Sequence, residues 1–462
     1  MSTFSGINQA ARALGAAQRG MEVTGQNIAN ANTPGYSRQR VEQSASVLPQ
    51  TGQHVQKFVA GDGVTVNGIT RVADALATAT ARQDAAAAEE LATAANVWAG
   101  VEAALGDTGT SGMSKDLANL TSAWNDLAKA GTDGLEGARS LVVTRSQAVL
   151  DTITTMDTSL QAQYEQLGLQ AQTLATQANT AAENVAKLNK SIRETLASGG
   201  SANELMDQRD QVLDQLASIT GARSVHRQDG TVDVLVGNAT LVTGEFSSGM
   251  VIGNTAGGNP QVREGAEYTV SVGGQSTGPV AGSLKATLDG ANDTLKKQWD
   301  NLNAFATKFT DAVNTAYNPT NAVGGDFFTS NGATLTAHDL KIADGLTAYP
   351  ATLKDSSGLA GAAGGSDRKI AQAVVATFDS TKAVWRTNAT TIAASTQSAD
   401  NRAALASQVS LKSSNARDAV AGVNLDEEMT NLVSYQHAYS AAARVLNAID
   451  EALETLIQRT GV

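Results

Sequence analysis

The chain has no cysteine, only four histidines and six prolines, and aromatic residues make up 4% of its 462 positions. Without cysteine there is no disulfide, no thiolate nucleophile and no zinc site of the Cys type. The histidines, His54, His226, His338 and His437, are too scattered for a histidine-rich metal site. Basic charge is short as well. Against 45 Asp and Glu stand 33 Lys and Arg, a net charge of −12. Binders of nucleic acid or of an anionic membrane need a basic face, so neither partner is expected. No segment approaches a run of about eighteen apolar residues, which excludes membrane insertion. Met1 to Met21 lacks the continuous apolar stretch of a signal peptide, so any export takes another route.

What remains is a chain that is 42% hydrophobic, long enough for two to four domains of roughly 100 to 200 residues. With so few aromatics, its apolar residues predict thin, elongated helical packing rather than a large interior with aromatic anchors. The fold class expected is mainly α and multi-domain, with coiled-coil-like helices from both termini packed together and a small β-rich insertion.

Both ends carry heptads. Ile7, Leu14, Met21 and Ile28 recur every seven residues, with Ala10, Ala17 and Thr24 at the intervening position, an a/d seam with small residues at d. Such small residues make an isolated N-terminal helix weak. The seam stops at Thr33-Pro34-Gly35-Tyr36, where Pro34 fixes φ and Gly35 can take φ > 0, so a type II turn is expected. At the other end Leu432, Tyr435, Tyr439, Ala442, Leu446, Ile449, Leu453 and Leu456 keep an unbroken 3,4 spacing. The first 40 residues hold four Arg and one Glu, and the last 40 hold six acids and two Arg. Opposite charge makes mutual packing of the two ends the expected arrangement.

Between them, helices are expected over 71–105, 114–129 and 135–196, the last with an unbroken 3,4 line from Leu160 to Ile192. Ser201 and Glu204 have capping-box spacing for a further helix ending near Gly221. Short β-branched runs at 223–227, 231–236 and 239–243, separated by Asp229-Gly230 and Gly237-Asn238, predict hairpins, and 267–272 adds a strand. Helix returns over 283–317. A Gly- and Thr-rich stretch at 318–367 reads as loops and short strands, and 368–420 as helix with breaks. The domains follow: a discontinuous terminal helical domain of 1–70 and 400–462, a rod-like helical domain of 71–220 and 283–399, and a β-rich insertion of 221–282.

Chemistry is sparse. Asp207, Arg209 and Asp210 could be taken for a catalytic group, but Asp207, Asp210 and Asp214 share one helical face, the pattern of a solvated or ion-paired stripe. There is no G-x-S-x-G, Walker loop or H-E-x-x-H, and the glycines of 253–258 and 361–365 lack the context of a phosphate loop. His437, between Tyr435 and Tyr439, reads as a polar residue at a seam edge. Tyr36 has two readings, packing on the helix it follows or contact with another subunit. No catalytic residue, cofactor or metal is expected.

The residues Gly25 to Gln39, with Asn27-Ile28-Ala29-Asn30 and Thr33-Pro34-Gly35-Tyr36 at their heart, resemble the N-terminal signature of bacterial flagellar axial proteins, the rod, hook and hook-associated family. Gly422 to Leu432, continuing to Asp450, resembles that family's C-terminal signature. Asn203 to Leu216, then Asp229 to Val234, and Gly325-Asp326-Phe327-Phe328 are similar to the hook-filament junction members. The resemblance implies a structural, non-enzymatic adaptor. Copies would form a ring or short helical layer, meeting hook protein on one side and another hook-associated protein or filament on the other. It further implies export through the flagellar type III channel, an export chaperone and an extracellular location. The seam residues would be the assembly surface. A hook or rod protein, or a secreted coiled-coil adhesin, are the alternative readings.

Overall fold

The structure, a computed structural model, describes residues 3–46, 63–107, 109–256, 265–278, 280–322, 324–332, 336–354 and 368–460. His54 and the glycines of 361–365 lie outside these residues. The chain forms two compact units, Met1–Ala86, Ala178–Gly249 and Ser407–Val462 in the first, and Ala87–Gln177 and Met250–Ala406 in the second.

In the first unit the ends of the chain meet. Helix α1 (Thr3–Asn30) runs antiparallel to α10 (Leu425–Thr460). Gly6 faces Ile449, Gly20 faces Tyr435 and Asn27 bonds to Glu428, so each step along α1 is matched by an equal step back along α10. Four glycines in α1 each cost about 1 kcal/mol of helix propensity, so α1 depends on this partner. In return a Cβ at Gly20 would stand 2.5 Å from the Tyr435 ring, so only glycine admits that approach without a shift. A line of α1 that meets α10 therefore runs through Gly6 and Gly20 to Asn27. It lies one residue around the helix from the bulky line of Ile7, Leu14, Met21 and Ile28.

A hairpin follows that the sequence reading assigned to no strand: β1 (Gln39–Ala45) pairs antiparallel with β2 (Val64–Arg71), from Gln39 opposite Arg71 to Ala45 opposite Val64. The unit also holds the first turns of α2 (Ala75–Leu105), the end of α4 (Leu135–Ala197) and α5 (Asn203–Thr220). Helix α5 ends on Gly221 in the left-handed region at φ 66°, as expected, but its capping box is not formed. Ala202 is the N-cap with no side-chain cap, and Glu204 instead accepts hydrogen bonds from Gln26 and Gln39. Tertiary partners have taken the carboxylate that local capping would use.

Strands β3 (Arg223–His226), β4 (Val232–Val236), β5 (Ala239–Thr243) and β6 (Phe246–Ser247) form an antiparallel sheet in sequence order, with Val232, Val234 and Val236 buried along one face. Asn189 of α4, fully buried, fixes this sheet by bonding Val232 through both N–H and C=O and by donating to the Gly244 carbonyl. Arg209, 2% exposed, donates to Asn189 Oδ1 at 3.1 Å and to the Gly230 carbonyl at 2.7 Å, and burial pushes its pKa down to about 10. The end of α9 (Lys369–Ala421) completes the unit.

The second unit contains the remainder of α2, α4 and α9 together with α3 (Met113–Lys129), the sheet β7 (Met250–Asn254), β8 (Tyr268–Val272) and β9 (Gln275–Ser276), and α6 (Gly282–Asp289). A π-helical turn at Gly290–Leu295 leads into α7 (Lys296–Tyr317), and β10 (Phe328–Ser330), β11 (Leu340–Ile342) and α8 (Asp344–Ala348) follow. The strands expected within 221–282 thus belong to two sheets, one in each unit. Helix α9 is continuous, without the breaks expected of it.

The scarce aromatics are concentrated here. Trp124, Tyr317 and Phe327 pack edge to face, and Phe305, Phe309, Phe328, Phe378 and Trp385 continue the cluster with centroids 4.7–6.4 Å apart. Low aromatic content thus did not mean a core without aromatic anchors, because most of the few present are gathered in one unit. The Gly325-Asp326-Phe327-Phe328 segment is held by Asn314, whose Oδ1 accepts both phenylalanine N–H groups.

Candidate functional site

The residues that look most like a working part lie in the first unit, where the two terminal motifs meet α5. Asn27 is 1% exposed and every polar valence of its side chain is used. Its Nδ2 donates to the Gln39 carbonyl and to Glu428 Oε2, and its Oδ1 accepts the Gln39 N–H and the Tyr36 hydroxyl, all at 2.9 Å. A single amide therefore ties α1, the following turn, β1 and α10 together.

The turn is the expected one. Tyr36 N–H reaches the Thr33 carbonyl at 3.2 Å and Gly35 has φ 75°, the type II requirement at the third position. Thr33 Oγ1 donates to Asn30 Oδ1, and Gln211 of α5 donates to the Pro34 carbonyl at 2.5 Å, pinning the exposed Thr33, Pro34 and Gly35. Tyr36 is half-buried. Burial, and then Glu204, Asp207 and Glu428, push its phenol up to about 12, which keeps it the donor to Asn27.

Two sets of charges brace this node. Arg38 forks across Glu427 at 2.8 Å and Glu428 at 2.7 Å, the latter 2% exposed. These acids stand in the first turn of α10, where the helix dipole also favours them. On α5 the acid stripe is an ion-paired ladder: Asp207 with Arg71 at 2.6 Å, Asp210 with Arg71 at 2.9 Å and Arg82 at 3.1 Å, Asp214 with Arg82 at 2.5 Å and Arg417 at 2.9 Å. Asp207 also accepts the Ser37 N–H, joining ladder to turn. A groove of about 470 Å³ runs between the turn, this ladder and the end of α9. Asp207, Asp210 and Asp214 along it are each ion-paired to arginine, so these charges tie α5 to the segments around it.

Burial alone would raise the Asp210 pKa, but Arg71 and Arg82 together hold it below the usual carboxylate range. A carboxylate with a depressed folded-state pKa contributes stability that is present above its unfolded value, near 4, and lost as pH falls through the folded value. The expected result is a fall in the melting temperature of the first unit as pH is lowered from about 5 to 3, measured by calorimetry. Replacing Asp210 with Asn should flatten that slope while lowering the plateau at pH 7.

The expected assembly residues fall into place as follows. On α1, Ile7, Leu14, Met21 and Ile28 are half-buried, while Ala10, Ala17 and Thr24 are buried. On α10, Leu432, Tyr435, Leu446, Ile449 and Leu453 are half-buried and Tyr439 is 37% exposed. The Leu456 side chain lies outside the described residues. Of the motif, Asn27 is buried, Asn30 half-buried and Ala29 exposed. His437 is exposed.

Sequence reasoning missed Arg38, Arg71, Arg82 and Arg417 as the partners of the acids, because their pairing joins distant segments, 389 positions apart for Arg38 and Glu427. It also missed exposed apolar side chains on α10, Leu425 (47%), Met429 (51%) and Val433 (46%) along one line and Val445 (52%) on another face, and on α9, Leu405, Val409 and Leu411. Among the described residues no group of three or more His, Asp or Glu could hold a metal ion, and no helix is long and apolar enough to cross a membrane.

Comparison with known proteins bears on this joint. Residues 98–328 match the helical domain of the flagellar hook-associated protein FlgK, 7–36 match the flagella basal body rod proteins, and 419–459 match the C-terminal region of the basal body rod proteins FlgEFG. The chain is 29% identical to flagellar hook-associated protein 1 of Bacillus subtilis, covering 100% of this chain and 99% of that one. It is 25% identical to the protein of the same name in Escherichia coli, covering 98% and 99%. The solved structure of the flagellar hook junction protein FlgK from Burkholderia pseudomallei aligns over 55% of this chain and 47% of its own, with 21% identity and a TM-score of 0.46. The two terminal matches end and begin at the node, and the central match contributes α5.

Proposed function

The chain belongs to the FlgK family of flagellar hook-associated proteins, structural components of the flagellum at the hook-filament junction, and from that premise we propose how it does its work. It acts as a non-enzymatic joint whose copies form a ring or short helical layer, with hook protein on one side and another hook-associated protein or filament on the other. It is secreted to that place, with the help of an export chaperone. Residues 1–70 and 400–462 form the part that lines the inner tube.

The observation that carries this reading is the unfinished packing of the terminal helix pair. The node and the small-residue line join α1 to α10 within one chain, yet the half-buried Ile7, Leu14, Met21 and Ile28 and the exposed Met429, Val433 and Val445 leave apolar surface in water. About half of each such side chain is already covered, so completing its burial is worth about 1 kcal/mol, and repetition around a ring adds these increments into a driving force. Neighbouring copies cover these side chains, and the seam residues become the assembly surface. Half-buried Tyr36 serves the node inside the chain, while the exposed Thr33, Pro34 and Gly35 beside it are placed to touch a neighbour.

The test is electron microscopy of hooks from a strain lacking the chain. Bare hooks, with filaments restored by the wild-type protein, are the expected result. Filaments growing normally on hooks without the chain would overturn the proposal.

A further inference from the structure

The sequence has two Asn-Gly pairs, Asn67-Gly68 and Asn331-Gly332, and the fold treats them differently. Glycine after asparagine removes the side chain that otherwise shields the following backbone nitrogen, and it frees the backbone to bring that nitrogen onto the Asn side-chain carbon. Asn67 sits inside β2. It is the extra residue of a bulge there: its neighbours Val66 and Gly68 pair with Gln43 and Glu42, which holds the backbone on both sides in the sheet, and its Oδ1 accepts the Ser44 hydroxyl at 3.2 Å. Ring closure there would require breaking the strand.

Asn331 and Gly332 lie between β10 and β11, in a bend where both are exposed. Asn331 is anchored only through its backbone N–H, to the Asp339 carbonyl at 2.9 Å, and among the described residues its side-chain amide has no hydrogen-bond partner. The Gly332 N–H donates to Ser330 Oγ at 3.0 Å, a solvent-exposed bond to a neighbouring hydroxyl that leaves the nitrogen within reach of water.

We propose that Asn331-Gly332 is a site of spontaneous, age-dependent deamidation, to which Asn67-Gly68 is the fold-protected counterpart. The Gly332 nitrogen, having given its proton to solvent, bonds to Asn331 Cγ. The Cγ–Nδ2 bond breaks, Nδ2 leaves as ammonia, and a succinimide ring remains. Water then opens the ring at either carbonyl, giving an aspartyl or isoaspartyl linkage; the net reaction consumes one water and releases one ammonia, with no oxidant. The product adds a negative charge at residue 331, whose backbone N–H bonds the Asp339 carbonyl at 2.9 Å. A second negative charge beside Asp339 loosens the β10–β11 hairpin, so the modification is read as a local change in this hairpin.

The experiment ages the purified full-length chain at mildly alkaline pH and follows the tryptic peptides ending at Lys341 and Arg71 by mass spectrometry, against a zero-time digest. The peptide ending at Lys341 should gain about 1 Da roughly tenfold faster than the other, and accept methyl groups from an isoaspartyl methyltransferase. In urea the two rates should converge, and Gly332→Ala should slow the first by roughly tenfold in the folded chain. Equal rates in the folded chain, no mass gain at the Lys341 peptide, or a difference that persists in urea would each overturn the proposal.

Discussion

Asn27→Ala is expected to unlatch α1 from α10. The substitution removes four hydrogen bonds at once and leaves the Gln39 N–H and C=O buried without partners. Each unsatisfied buried group costs about 1–3 kcal/mol, so the first unit should lose about 4 kcal/mol, or roughly 10 °C in melting temperature. Amide exchange should report it locally: protection falls in the last turns of α1, in β1 and in the first turns of α10, while the aromatic cluster of the second unit keeps its own. Asn27→Asp should be worse than alanine. It replaces a donor to Glu428 by a second carboxylate at the same distance, with Arg38 the cation bonded to Glu428. If Asn27→Ala melts and exchanges like the wild type, Asn27 is not the tie between the termini.

Gly20 carries the second large effect. Replacing a mid-helix glycine by alanine ordinarily gains about 1 kcal/mol of helix propensity, so a plain reading of α1 predicts a stabilised protein. The Tyr435 ring, 2.5 Å from where the new carbon would stand, reverses the sign. Gly20→Ala should cost about 1–2 kcal/mol and Gly20→Val about 3 kcal/mol or more, because the two helices must separate to admit the added volume. Tyr435→Ala vacates the site, so the double variant Gly20→Ala/Tyr435→Ala should be more stable than the sum of the single effects by about 1–3 kcal/mol in denaturant unfolding. Additive effects would show that Tyr435 does not pack on Gly20.

These two residues also show what was legible in the sequence. The seven-residue period of the ends was plain, and so were the helices of 114–129 and 135–196, the type II turn and the hairpins after Gly221. The period's phase was less plain. Bulky side chains dominate a sequence pattern, so Ile7, Leu14, Met21 and Ile28 drew attention, whereas α10 is also met at Gly6 and Gly20, where absence of volume is the signal, and at Asn27. The capping box at Ser201 failed for a related reason: local spacing says nothing of Gln26 and Gln39, which reach Glu204 from far along the chain. The β1–β2 hairpin was hidden between helical motifs, its polar alternation too weak to compete. The node itself was half visible, its motif residues recognisable and its arginines not, since ion pairs between distant segments leave no trace in spacing.

The central claim is that the exposed apolar side chains of α10 are made for neighbouring copies rather than for the chain's own interior. The measurement that tests it most directly is filament attachment by electron microscopy in a strain whose only copy carries Met429→Glu, Val433→Glu and Val445→Glu. These side chains are 46–52% exposed, so the purified variant should keep its melting temperature within about 2 °C. Its hooks are expected to be bare. Hooks that carry filaments as the wild type does would contradict the account.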